Sequence, residues 1–330
     1  MPGTHASELE RAEALAERTF HADVPRRRML VIVNPYATTV SDRLKNLVVY
    51  ALQSRYDVHA VDTQAKAHAI ELTREAADEG YEVVVAFGGD GTVNEAANGL
   101  IGSDVPLTCL PGGSTNVFCR SLGIPRDVVD ATEHLLQMAD RFEPRKVDLG
   151  RVNGRHFTFS SGIGLDASVV ERVDAHPRLK ARYTRWYYTW VALGIFTRRY
   201  LFNPPRVRVE VDGRSVEGVT VVIQNSDPFT YFGPRPISIC EGAGLETGTL
   251  SLSVLERASA LDMPTLIPRL FSARASVVQR HRQIEGFAGI DYARVVSTDG
   301  PFPLQVDGDF IGEFDEASYG ISPHALTVVS

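Results

Sequence analysis

Cysteine is scarce: the 330 residues contain only Cys109, Cys119 and Cys240, far apart in the chain. No CxxC pair and no histidine at zinc-site spacing goes with them. A disulfide-stapled scaffold and a zinc module are therefore excluded, and reduced, buried thiols of a cytoplasmic protein are expected. A basic surplus is missing as well. The 34 Lys and Arg stand against 41 Asp and Glu, giving a net charge of -7, which argues against a nucleic-acid partner. No run reaches the ~18 apolar residues of a membrane-crossing helix, and the first thirty residues lack the apolar core of a secretory signal. The nine histidines form no cluster. There is no internal repeat, no low-complexity linker, no GKS or GKT behind a glycine loop and no GxGxxG fingerprint. What remains is a globular composition, 44% apolar and 23% charged, in a length that favours two domains.

Two patterns divide that length. From Arg28 to about residue 145, short apolar runs alternate with helical periodicity. Met29 to Asn34 reads as a strand, followed by Leu44, Leu47, Val48 and Ala51 at helical spacing. Val58 to Val61, Val83 to Phe87 and Pro106 to Leu110 read as further strands. Helices are expected over Ala65 to Asp78, from Thr92 onward and over Asn116 to Ser121. Strands that are apolar throughout need cover on both faces, so this half is expected to be an α/β domain with a parallel sheet. From residue 146 to 330 the pattern becomes alternating. Asn153-Gly154, Asp212-Gly213 and Asp307-Gly308 each supply a two-residue hairpin signal, so a β-rich antiparallel domain is expected. Residues 1–27 form an extension. Ser7 and Glu10 have capping-box spacing, and the extension reads as a mobile terminus or, alternatively, an interface arm.

The chemistry is concentrated in EVVVAFGGDGTVNEAAN, Glu82 to Asn98. A buried strand runs into Gly88, Gly89, Asp90 and Gly91 and then into a helix. Glycines there can adopt φ > 0 and let a ligand approach the backbone. Thr92 and Glu95 have capping-box spacing, and the amides of the helix start suit a phosphate. A carboxylate beside phosphate calls for a cation, so Asp90 points to Mg²⁺. The alternative is a tight connection with Asp90 as a solvated turn residue. A second glycine turn, LPGGSTNVFCRSLGIP from Leu110 to Pro125, makes a paired clamp for one polyphosphate the better reading.

These motifs resemble the bacterial diacylglycerol kinase-like lipid kinases, relatives of the sphingosine and ceramide kinases. The resemblance is carried by VNPYAT, GGDGTVNEAANGL, PGGSTN with RSLGIP behind it, VDLG at Val147 to Gly150, and QVDGDF near the end. It implies a nucleotide-binding α/β domain followed by a β-rich domain, with the last strand able to return to the first. It assigns nucleotide contact to Asn34, Thr38, Gly88, Gly89, Asp90, Gly91, Thr92, Asn94, Glu95, Gly113, Ser114 and Asn116. It implies ATP and Mg²⁺, with Asp90 and Asp148 ordering the ion, and Asp307 as the base that deprotonates a lipid hydroxyl. Two departures accompany it. Val117 stands where many relatives carry aspartate. Thr247 stands where an acid is associated with a structural Mg²⁺, and Glu246 lies one position away. The alternatives are Glu95 as a helix cap, Asp148 as a strand-end acid, and Asp307 as a hairpin residue like Asp212.

A lipid acceptor requires transient contact with a membrane, at the inner face for a cytoplasmic enzyme. Ala181 to Phe202 holds two Trp, four Tyr and two Phe with four arginines. It suits a headgroup interface or an interdomain helix. Tyr231 to Pro236 is a second candidate lip. The nearest rival activity is that of an NAD kinase, which shares the glycine turn. The non-enzymatic rival is a degenerate nucleotide- or lipid-binding protein. Pairing with a second copy, as a homodimer, is left open.

Overall fold

The computed structural model describes residues 9–15, 26–37, 40–164, 206–259 and 261–330. Ser7, Thr38 and the aromatic segment Ala181 to Phe202 lie outside the described residues. The chain divides into two compact units, Met1–Val147 with Ala325–Ser330, and Asp148–His324. The change of sequence pattern had put the division at 145 and 146.

In the first unit, β1 (Arg27–Val33), β2 (Tyr56–Asp62), β3 (Val83–Gly88) and β4 (Leu107–Pro111) are parallel in the order β2-β1-β3-β4. β3 is buried at every residue, as a strand covered on both faces must be. Near the chain's end Val328 pairs in parallel with Leu107 and adds a fifth strand. The helices start where short polar side chains satisfy their first amides. Ser41 Oγ accepts from Leu44 N at 3.2 Å and opens the helix Asp42–Leu52, which buries Leu44, Val48 and Ala51. Asp127 Oδ1 accepts from Val129 N and Asp130 N and opens Val128–Met138. Residues 9–15 are helical. Ala12 is buried there and Arg11 bridges Asp127 and Asp130, so this segment packs on its own unit. The helix expected from Ala65 begins instead at His68, behind Ala67 at φ 68°.

β5 (Arg145–Val152) carries the chain into the second unit, followed by β6 (Arg155–Phe157), β7 (Ser160–Ile163), β8 (Val207–Val211), β9 (Arg214–Gly218), β10 (Thr220–Gln224), β11 (Thr230–Phe232) and β12 (Arg235–Ile237). β13 (Leu250–Leu255), β14 (Ile284–Ile290), β15 (Tyr292–Ser297), β16 (Phe302–Val306), β17 (Asp309–Phe314) and β18 (Glu316–Val328) complete it. One antiparallel sheet runs β14-β13-β10-β7-β16-β17; β18, β15, β8 and β9 follow one another in a second. β8 buries Val207, Val209 and Val211 and exposes Arg208, the period of a half-covered strand. The core lies between the sheets. Val209, Val295 and Tyr319 come from one, Ile223, Leu252 and Leu304 from the other. The three dipeptides expected to turn hairpins, Asn153-Gly154, Asp212-Gly213 and Asp307-Gly308, do so with both residues at positive φ, between β5 and β6, β8 and β9, and β16 and β17.

Candidate functional site

The first unit brings its two glycine turns together backbone to backbone. Gly112 N donates to Gly88 O at 2.8 Å. A Cβ on Gly112 would lie 2.9 Å from Gly88 Cα, and one on Gly113 would lie 2.9 Å from Gly89 Cα. Close approach is therefore what these glycines supply. The expectation of φ > 0 at Gly88, Gly89 and Gly91 is not met: none adopts it, and Gly89 is extended at φ -87°, ψ -178°. A Cβ at Gly89 would meet only Gly113 Cα, at 3.6 Å, and otherwise open space.

The helix after this turn is Asp90–Gly99, two residues earlier than expected, with Gly89 at its N-cap and no capping side chain. Its first amides are thus available to an anion. The Thr92 and Glu95 capping box does not form. Thr92 Oγ1 accepts from Asn34 Nδ2 at 3.0 Å, which ties the loop after β1 to the helix start. Glu95 Oε1 accepts from Ala67 N at 2.8 Å and so caps the neighbouring helix His68–Asp78. Glu95→Ala is expected to lower stability by about 1 kcal/mol and leave nucleotide affinity within about twofold of wild type. Titration with a fluorescent ATP analogue beside a thermal melt checks this; lost affinity at unchanged Tm would assign Glu95 to nucleotide contact. Asn94 is buried in the helix and receives a bond from Asn98 Nδ2 on its carbonyl, at 2.9 Å.

Asp90 faces the second turn. Its Oδ2 accepts from Thr115 Oγ1 at 3.0 Å and its Oδ1 from Phe118 N, at 3.3 Å in the first turn of the helix Val117–Ser121. It is a tether between the two turns and not a solvated turn residue. Asn116, at φ 47°, clasps the Gly113 peptide by accepting from Gly113 N and donating to Gly113 O, both at 2.8 Å. That leaves Ser114 exposed at the tip, while Val117 is buried. Thr115 was not singled out from sequence, and nothing in PGGSTN distinguishes it from Ser114.

The donor set fits a hard dication in one mode only. Asp90 is the one carboxylate that tethers the two turns, through Thr115 and Phe118. Among the described residues no three His, Cys, Asp or Glu side chains gather at a metal spacing. Mg²⁺ bound by one carboxylate, substrate phosphates and water suits that geometry; an all-protein cage does not.

In the second unit Asp148 is buried and serves as an acceptor for backbone. Oδ2 takes Gly248 N at 2.6 Å and Oδ1 takes His324 N at 2.8 Å. The loop it anchors closes on itself, because Thr247 Oγ1 lies 3.0 Å from both Gly244 O and Thr249 O. Glu246 is exposed on that loop. The expected metal role of Asp148 and Glu246 is thereby replaced: a side-chain hydroxyl and two amides hold the loop, and these residues do not fit a structural metal.

Asp307 and Asp212 share the same tripeptide, yet their surroundings differ entirely. Asp212 is exposed. Asp307 is buried, and its carboxylate accepts from Thr158 N at 2.6 Å, Thr158 Oγ1 at 2.8 Å, and Phe159 N and Ser160 N at 3.0 Å each. Burial pushes the carboxyl above its ordinary value of 3.8, against the four donors, which favour the ion. Asn225 links the two buried acids, donating from Nδ2 to Asp148 O at 2.8 Å and Thr158 O at 2.9 Å. Its own Oδ1 is buried with no hydrogen-bond partner. Thr158 and Asn225 escaped the sequence reading because neither lies in a glycine motif.

Residues 28–152 match the diacylglycerol kinase catalytic domain, and residues 159–330 match a domain described as the YegS C-terminal NAD kinase beta sandwich-like domain. A diacylglycerol kinase of Bacillus subtilis is 28% identical over 71% of this chain and 75% of its own length. One of Staphylococcus carnosus is 23% identical over 91% and 94%. A solved structure described as a diacylglycerol kinase of Bacillus anthracis superposes with a TM-score of 0.65 at 21% identity, covering 93% of this chain and 98% of that one; it shows the common fold. No helix among the described residues is long and apolar enough to cross a membrane. Both halves are matched in order, the second match alone spanning more than half of the chain, and the chain therefore belongs to the diacylglycerol kinase-like lipid kinase family, phosphotransferases with a nucleotide substrate.

Proposed function

We propose that this protein transfers the γ-phosphate of ATP to the hydroxyl of diacylglycerol or a similar long-chain alcohol, giving phosphatidic acid or its analogue. One observation carries the reading. Two glycine turns touch at Gly88 to Gly112 and Gly89 to Gly113, in front of a helix start that no side chain caps. The amides there would hold phosphate oxygens, with Asn34 and Thr92 fixing the turn and Ser114 exposed beside it. Mg²⁺, bound through the phosphates and Asp90, would neutralise charge on the transferring group.

The acceptor hydroxyl oxygen forms a bond to the γ-phosphorus as the bond to the β-phosphate oxygen breaks. ADP leaves, and the hydroxyl proton passes to a carboxylate. Asp307 supports that last role by its raised pKa, since a base is most useful when its pKa approaches the working pH. The donors from Thr158, Phe159 and Ser160 occupy about four lone-pair sites of its carboxylate, so one donor must turn away first. The Thr158 hydroxyl is the one that can do so without moving backbone.

Radiolabelled ATP and Mg²⁺ offered with diacylglycerol, sphingosine, ceramide and NAD would test the reading, with products identified by mass. Label is expected in a lipid. Label in NAD alone, or in no acceptor, would overturn it.

A further inference from the structure

Seven large hydrophobic residues are exposed among the described residues, and three are tyrosines. The other four, Phe232, Leu261, Ile267 and Phe271, gather in one part of the second unit. The helix Met263–Leu270 buries Leu266 against Val219, Leu255 and Val278, with Leu270 packed alongside. A helix with one covered face ordinarily turns polar residues outward. This one does not: Pro264, Ile267, Pro268 and Phe271 follow one another at helical spacing, and all are exposed. Leu261, 84% exposed, stands just before the helix. The hairpin β11–β12 brings Phe232 edge-on to Phe271, with ring centroids 5.6 Å apart.

Charge chooses the occupant. From Leu261 to Gln283 there are four arginines (Arg269, Arg274, Arg280 and Arg282) and one carboxylate, Asp262, which Arg282 engages. Arg235 pairs across the hairpin from Phe232 and is exposed, as are Arg274 and Arg280. This positive rim belongs to a chain of net charge -7. A second copy docked about a two-fold axis would set the same arginines against each other. An anionic bilayer complements them and takes apolar side chains below its headgroups.

We propose that the outer face of Met263–Leu270, with Phe271, Leu261 and the Phe232 hairpin, docks the protein on anionic lipid membranes. The proposal rests on the lipid-kinase reading, because a long-chain acceptor must be met at a bilayer; it takes in the Tyr231 to Pro236 lip that the sequence suggested and adds the helix Met263–Leu270, apart from the segment Ala181 to Phe202.

The full chain is tested by co-sedimentation with vesicles of phosphatidylcholine alone and of equal parts phosphatidylcholine and phosphatidylglycerol. Two double variants are compared with wild type: Ile267→Asp with Phe271→Asp, and Arg274→Glu with Arg280→Glu. All four residues are surface positions, and melts serve as the folding control. Wild type is expected to bind the anionic vesicles, and each variant to lose at least about tenfold in partitioning. Both variants should retain the wild-type rate on a short-chain diacylglycerol dispersed in water. Three results would overturn the proposal: no wild-type binding, unchanged binding in both variants, or sedimentation equilibrium showing a dimer that the variants dissolve. If no lipid is phosphorylated while binding behaves as expected, the docking surface stands and the kinase reading fails. The converse pattern separates them the other way.

Discussion

Asp307→Ala is expected to lower the melting temperature by roughly 6–12 °C. The substitution leaves the amides of Thr158, Phe159 and Ser160 buried without the acceptor they now share. An unsatisfied buried donor costs about 1–3 kcal/mol, so a total of at least about 3 kcal/mol follows, at roughly 2–4 °C per kcal/mol for a unit of the size of Asp148–His324, in which Asp307 lies. Asp307→Asn should fall less far, since its amide oxygen still serves two donors while its NH₂ group faces the others. Phosphotransfer by the folded Asn variant is expected to drop by about 10²-fold or more, the contribution of a positioned base. Unchanged turnover per folded molecule would leave Asp307 as scaffold alone. A pH series adds an independent check. The folded pKa lies above the unfolded one, so the native state holds the proton more tightly across the interval between them. Stability from this group is therefore greatest in acid and declines as pH rises from about the ordinary 3.8 through the folded value. In the Asn variant that decline should disappear, which calorimetry across the acid range would read.

The second large effect separates two neighbouring glycines. Gly113→Ala places a methyl 2.9 Å from Gly89 Cα and 3.0 Å from Asn116 Oδ1, so the turns must part and both stability and nucleotide binding should fall. Overpacking of this kind typically costs about 1–3 kcal/mol. Gly89→Ala has room, with only Gly113 Cα at 3.6 Å, and its extended backbone suits any residue. Its methyl would occupy open space at the helix start. We expect Tm within about 2 °C of wild type and nucleotide affinity reduced at least tenfold, about 1.4 kcal/mol. Isothermal titration with ATP and Mg²⁺ checks this. Equal affinity in Gly89→Ala would remove the phosphate from that turn.

What could be read in advance followed from local rules. Fully apolar short runs predicted a covered parallel sheet, and β3 is buried throughout. Asn153-Gly154, Asp212-Gly213 and Asp307-Gly308 predicted hairpins because both residues must take φ > 0, and in all three they do. The two glycine turns were expected to act together, and the structure brings them into contact, but not through positive φ. Their absent side chains permit backbone contact instead of unusual dihedrals, and contact between turns 24 residues apart, Gly88 and Gly112, has no local signal. Glu95 had the spacing of a cap and became one, for another helix. The apolar outer face of Met263–Leu270 drew no attention, because apolar spacing at Leu266 and Leu270 reads the same whether or not the opposite side is covered.

The alternation of strands and helices from Met29 to Ser121, the change of pattern near residue 146, the hairpins and the glycine turns were determined by the sequence alone, since each depends on neighbours within a few positions. Which aspartate of two identical Val-Asp-Gly tripeptides is buried under four donors was decided only by tertiary structure. Those donors come from Thr158 to Ser160, about 150 residues earlier. A carboxylate's protonation and hydrogen bonding follow from what surrounds it in space, and chain order does not record that.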